Sequence, residues 1–313
     1  MKRPLFPRRP RRGSREDPAE VLDRVAATVH RLAVLLSAGV TPAAAWEYLG
    51  SPGAGVTRAR KGGLALPDAI RSALAGGADA EAWAGVATAW DVASQAGAPL
   101  AATLREYAGA LRVRAAVERD ISLALAGPRS TARIVLALPA LGILFGTALG
   151  FDSLRILVTT PAGIGCLVTG LALITAALAW IRSLLRAARS GEPNPGLRLD
   201  LMAIAVSGGS SLERAAAIVR RALAASGMSP TTGMVEVDEV LDLARRAGVP
   251  AAELLRSEAQ ESRRIAAAAA ERRAVILGVR LMLPLGACIL PAFMVLGVVP
   301  LLIAVVSSTV VGF

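Results

Sequence analysis

The chain has 313 residues, is 54% hydrophobic but only 4% aromatic, and carries a net charge of +11. With charged residues at 19% and a mean hydropathy of +0.53, it is more apolar and less charged than ordinary soluble domains, which points to membrane segments. Two cysteines and one histidine are too few for a disulfide framework or a zinc site.

Residues 1–19 are basic and proline-rich, with Arg8, Arg9, Arg11 and Arg12 close together. They contain no apolar stretch of secretory-signal length and are expected to be a disordered basic arm. From residue 20 the pattern becomes helical. Val21, Val25, Val29, Leu32 and Leu36 fall on one stripe of a 3.6-residue period. Gly39 then stands where a helix ends in positive φ. Thr41 and Pro42 restart the chain with an N-cap oxygen followed by proline at the first helical position. Further on, "ASQAGAPLAATL" marks a second helical hairpin at Gly97 and Pro99. A long helix rich in arginine and acid follows it.

Three stretches lack any charged residue: 134–151, 156–181 and 281–313, of 18, 26 and 33 residues. At about 1.5 Å per residue, about 18 helical residues suffice to cross a bilayer's hydrocarbon core. The expected spans are 133–151, 156–181 and 275–299. Pro300 divides the last run, so 300–313 is either the end of a kinked span or a short fourth membrane helix. On the first span Gly142, Gly146 and Gly150 form a small-residue ladder suited to close helix packing. Arg112, Arg114, Arg119, Arg129 and Arg133 precede the first span, Arg182, Arg186 and Arg189 follow the second, and Arg263, Arg264, Arg272, Arg273 and Arg280 precede the third. Positively charged flanks stay inside. Residues 1–133 and 182–280 are therefore expected to be cytoplasmic, in a multi-pass protein of the cell (inner) membrane with a cytoplasmic N-terminus.

The second cytoplasmic stretch repeats the first. In 200–221 an apolar helix ends at Gly208-Gly209, and Ser210 with Glu213 has capping-box spacing. "ARRAGVPAAELL" then places Gly248 and Pro250 at an offset of 151 from Gly97 and Pro99. Asp91 and Asp242, and Leu104 and Leu255, share that offset; Gly39 and Gly209 differ by 170. The longer first copy has room for one more short helix near 66–83. The expected fold is all-α: a polytopic membrane protein with two duplicated cytoplasmic helical-bundle domains, 20–132 and 195–273, and three or four transmembrane helices.

The stretches "LLSAGVTPAAAW", "AVSGGSSLERAA", "ASQAGAPLAATL", "ARRAGVPAAELL" and the tail "VRLMLPLGACILPAFMVLGVVPLLI" resemble the type II secretion F-domain family, inner-membrane platform proteins, and within it the tight-adherence pilus branch. The resemblance covers roughly residues 20–310. It implies a platform that couples a separate cytoplasmic ATPase to the assembly of pilin or pseudopilin membrane helices, working as an oligomer in the lipid bilayer. Many members carry a glutamate two residues before the second-hairpin glycine. Here those positions hold Gln95 and Arg246, so no carboxylate or divalent-ion role is carried over.

No phosphate loop, HExxH or GxSxG pattern is present, and His30 sits beside an arginine on an amphipathic helix. No catalytic residue, cofactor or metal is expected, and the chain is read as a non-enzyme. Arg112, Arg114, Arg245 and Arg246 are the candidate contacts to the ATPase. The spans hold no ionisable residue to mark an ion path, which counts against a channel or transporter. The other reading kept open is a membrane-anchored helical regulatory or scaffold module unrelated to pili.

Overall fold

The computed structural model describes residues 17–124, 158–188, 194–229, 233–300 and 302–303, with six single positions between 126 and 144. Apart from four of those single positions, the first apolar run, with Gly142, Gly146 and Gly150, lies outside the described residues, as does most of 300–313. The described residues are helical, with no strand among them. Two helices, Pro161–Ala187 and Ala251–Val298, are long and apolar enough to cross a membrane.

The first segment contains α1 (Pro18–Ser37), α2 (Pro42–Glu47), α3 (Ser51–Lys61), α4 (Leu66–Leu74), α5 (Ala80–Ala96) and α6 (Leu100–Ala124). After it come α7 (Pro161–Ala188), α8 (Leu197–Ser207), α9 (Leu212–Ala225), α10 (Met234–Ala247) and α11 (Ala251–Arg280). Helix α1 begins inside the expected arm, because Asp17 accepts from the Ala19 amide at 3.1 Å and Pro18 fills the first helical position. Thr41 caps α2 as its spacing implies, accepting from Ala44 N at 3.4 Å. The cap of α9 is one residue later than expected. Ser211, not Ser210, accepts from Arg214 N at 3.3 Å. Gly209 and Ser210 are used up as the link, so Glu213 falls one place short of the reciprocal position of a capping box.

The turn glycines behave alike in the two segments. Gly39 and Gly209 have φ of +87° and +81°, Gly97 and Gly248 of +73° and +65°. Ala98 N donates to Ala93 O at 2.9 Å and Val249 N to Ala244 O at 3.2 Å, the same bond at the same place in both hairpins. A third pair, unread in the sequence, closes α3 and α9. Gly63 N donates to Arg60 O at 2.9 Å and Gly227 N to Ala224 O at 3.1 Å, each the residue after the C-cap. The longer first segment splits the counterpart of α9 into α2 and α3 at Gly50 and inserts α4.

The chain divides into two compact units, Met1–Arg119 with Asn194–Ala267 and Asp120–Pro193 with Ala268–Phe313. In the first, both segments feed one hydrophobic core. It runs from Leu22, Val25 and Leu32 through Trp46, Ile70 and Trp90 to Leu199, Met202, Leu223 and Leu255. Segments expected as separate bundles thus bury their apolar faces in a common interior. Leu104 and Leu255, which share the 151-residue offset, are both fully buried, each stabilising the core by about 1.5–3 kcal/mol.

In the second unit α7 packs on the helix that continues beyond Arg280. Gly163, Gly170 and Ala177 are buried at seven-residue intervals along α7, a narrow seam of small side chains. Leu296 fills the notch at Gly170, where a Cβ would lie 2.3 Å from its Cγ. Ala177 packs with Leu285 and Ile289. The partner helix contains two π-turns, Leu285–Ile289 and Met294–Val298. Each surrounds the carbonyl four residues before a proline, Pro291 and Pro300. A proline ring clashes with that carbonyl in a regular helix, and the wider π-turn relieves the clash.

Candidate functional site

The joint where the two segments meet is the most built feature of the first unit. Helix α5 is its centre. Eleven of its 17 residues are buried, because α4 lies on one side and α8 and α9 on others. Small residues make this possible. Ala82, Val86, Ala87, Ala89, Val92 and Ala93 let neighbouring backbones come close. At the α5 end, Gly208 meets the carbonyl of Ala96, and a Cβ on Gly208 would sit 2.0 Å from that oxygen. The doubled glycine of the sequence therefore has two tasks: Gly209 supplies positive φ, and Gly208 supplies the gap into which the other segment's turn fits.

Polar groups stitch the same joint. Thr88, with no exposed surface, donates to Ala84 O at 2.7 Å and accepts from the Ser226 hydroxyl at 2.5 Å. Arg71 donates to Ser226 at 3.3 Å and to Asp68 at 2.6 Å. Arg114 donates to Asn194 Oδ1 at 2.6 Å and to Glu81 at 3.0 Å. Arg256 reaches Glu106 at 3.3 Å. Within the second segment, Asp200 and Arg263, mostly buried, pair at 2.5 Å. Burial pushes the Asp200 carboxyl above its ordinary pKa, and the Arg263 guanidinium pulls it partly back. Burial likewise raises the Tyr107 hydroxyl, which lies over Gly85; a Cβ there would meet it at 1.9 Å.

The sequence-derived candidates divide into two groups. Arg114 is engaged inside the joint, and Arg246 pairs with Asp242 one turn back at 3.0 Å. Its counterpart Gln95 does the same with Asp91 at 2.9 Å. Both positions where the resembled family places glutamate thus turn back on their own helix. Arg112 on α6 and Arg245 on α10 are exposed, as is Arg246. Gly39, Pro42, Gly97, Pro99, Gly209, Gly248 and Pro250 shape turns and carry no reactive group. Among the described residues no group of three or more His, Cys, Asp or Glu side chains could hold a metal.

Sequence reasoning missed Thr88, Ser226 and the close approach at Gly208. The signal available for Gly208 was a second glycine where one suffices; Thr88 and Ser226 are ordinary residues, 138 apart, with none. Comparison with protein-family models, with curated proteins and with solved structures finds no match.

Proposed function

We propose that the chain is an inner-membrane platform protein of a type II secretion or tight-adherence pilus machine, coupling a cytoplasmic ATPase to the assembly of pilin or pseudopilin helices. In this reading it is multi-pass, has its N-terminus in the cytoplasm and works as an oligomer. The observation that supports it most is the shared core: two stretches of chain, each running on into a strongly apolar segment, merge into a single helical unit. A unit of this kind receives a load at its surface and moves as one piece. Pro161–Ile181 and Leu281–Val298 contain no charged residue, so these helices offer no proton or ion relay and energy must come from a partner.

The test is deletion of the protein in its own cell. The reading requires that surface pili or secretion be lost while prepilin stays in the membrane. Normal piliation and secretion after deletion would reject it. A second arm reverses Arg245 and Arg246 to glutamate. Both are exposed, and exposed ion pairs such as Arg246 with Asp242 contribute only about 0–1 kcal/mol, so the protein should insert and fold. Co-purification of the ATPase should fall; unchanged co-purification would reject that contact.

A further inference from the structure

In the second unit, the helix beyond Arg280 has two main-chain acceptors that its own backbone leaves unmet. At the first π-turn Leu290 N donates to Leu285 O, and Pro291, the next residue, has no N–H. The Gly286 carbonyl, which would bond residue 290 in an α-turn or 291 in a π-turn, is left with neither. At the second π-turn Val299 N donates to Met294 O and Pro300 has no N–H, which leaves the Val295 carbonyl in the same state. Gly286 is exposed on a face with Leu283, Leu290 and Met294. A Cβ there would meet nothing within 4 Å, so another helix can come up to this backbone. Hydrocarbon offers no donor, and carbonyls freed in membrane helices are met by neighbouring helices.

Helix α7 carries complementary groups on the face turned away from this partner. Thr169, Ala172, Ala176, Ala179 and Trp180 are all exposed and fall on one stripe of a 3.6-residue period, roughly opposite the buried Gly163, Gly170 and Ala177. The Thr169 hydroxyl and the Trp180 indole N–H make no hydrogen bond among the described residues, and the indole can only donate. The alanines between them let another helix approach closely; the unmet donors and acceptors are what call for one. Their depths agree. Leu296 fills the notch at Gly170, so the adjacent residues Val295 and Thr169 lie at one level. Leu285 and Ile289 pack on Ala177, so Gly286 lies level with Ala177. Trp180 is three residues further on, and long helical side chains point back toward the helix N-terminus, which carries its indole toward that level.

We propose that this face of α7 in one copy of the chain packs on the Leu283–Met294 face of the next copy, with Trp180 Nε1 donating to the Gly286 carbonyl and Thr169 Oγ1 donating to the Val295 carbonyl. Within one chain the donors and acceptors lie on outward faces and do not meet. Copies inserted the same way up in one membrane hold each residue at the same depth, so a neighbour presents its donors at the level of these acceptors. The two faces differ, so the contact is heterologous and runs on from copy to copy as a ring or an open row. Lipid tails would leave all four groups unmet. The inference rests on the multi-pass membrane reading proposed above and needs neither the ATPase nor a pilin.

The test reconstitutes the full chain, carrying donor or acceptor fluorescent proteins at its N-terminus, in phosphatidylcholine liposomes. Energy transfer is read as the protein-to-lipid ratio is varied. Association should be saturable and exceed the random-proximity curve of an unrelated multi-span protein. Ala172→Leu combined with Ala176→Leu should weaken it about tenfold or more. Trp180→Phe removes the donor and should weaken it about three- to tenfold. Pro291→Ala returns an N–H to the helix for the Gly286 carbonyl and should do the same. Both changes act on one hydrogen bond, so the double variant should lose no more than either alone. Ala172, Ala176 and Trp180 are exposed in the single chain, so their variants keep its fold. No transfer above the random curve, transfer unchanged by these variants, or additive losses in the double variant would overturn the proposal and leave these faces to lipid or to a helix of another protein. Release of the chain from the liposomes by carbonate would reject the membrane reading and this interface with it, whereas normal piliation after deletion would leave the interface standing.

Discussion

Replacing Gly208 by alanine tests whether the two segments are held by backbone contact. On local grounds the change should help. Gly208 has φ −77°, which alanine adopts freely, and alanine in place of glycine at such a position stabilises by about 0.4–1 kcal/mol by restricting the unfolded chain. Tertiary packing says the opposite. The added Cβ would lie 2.0 Å from Ala96 O, 2.7 Å from Ala96 C and 3.1 Å from Ala98 N. All three are backbone atoms, so no rotamer change relieves the overlap, and α8 must move away from the α5 turn. Overpacking of this kind costs about 1–3 kcal/mol. After that gain is subtracted, a net loss of up to about 2.5 kcal/mol remains, or up to about 10 °C in Tm for a unit of this size. The assay is thermal unfolding of the full chain in detergent at one scan rate, followed by tryptophan fluorescence; Trp46, Trp83 and Trp90, of four tryptophans in all, report on this unit. Gly109→Ala is the control, because Gly109 lies within α6 and its Cβ would meet nothing within 4 Å; it should raise Tm by about 1–4 °C. If Gly208→Ala raised Tm alongside Gly109→Ala, the close contact between segments would be refuted.

Arg263→Met should destabilise the helical unit by about 3 kcal/mol near neutral pH, because it leaves the Asp200 carboxylate buried and unpaired. Asp200 already has a raised folded-state pKa, so its protonated form is favoured by folding, and the stability it contributes is present at acid pH and lost as pH rises through that value. The Arg263→Met penalty should therefore shrink when unfolding is measured in mildly acidic buffer, and a penalty that grew on acidification would contradict the assignment. In the second unit, Gly170→Val should lower the thermal stability of the detergent-solubilised protein, because its branches would enter the space of Leu296. Gly165→Val, where a Cβ meets nothing within 4 Å, should have little effect, and equal losses at both sites would remove the notch as the cause.

What was legible in the sequence was local. The helix class, the turn at each of Gly39, Gly97, Gly209 and Gly248, the cap at Thr41 and the two long apolar helices follow from rules that act over a few residues: period, positive φ, side-chain oxygen before a helix, absence of charge. The same rules slipped by one residue at Ser211, where two adjacent serines compete for one cap and Gly209 decides between them. They could not place Thr88 against Ser226 or Gly208 against Ala96, because such partners are chosen by how whole helices pack and not by any neighbour in the chain. Arg114 shows the limit from the other side. As a sequence position it is one more exposed arginine; in the folded unit Glu81 and Asn194 have claimed it.

The amino-acid order by itself determined that each segment would make helices with an apolar face to hide, and that Gly39, Gly97, Gly209 and Gly248 would end four of them. Whether each segment would hide that face alone or against the other was settled only in three dimensions. Helix α5 carries alanine, valine and threonine on most of its surface, too much apolar area for one segment to cover, whereas its counterpart α10 buries only Val237, Val240, Leu241 and Ala244. The imbalance is satisfied when α8 and α9 close over α5, and the physical reason is that burial rewards total covered area, whichever part of the chain supplies the cover.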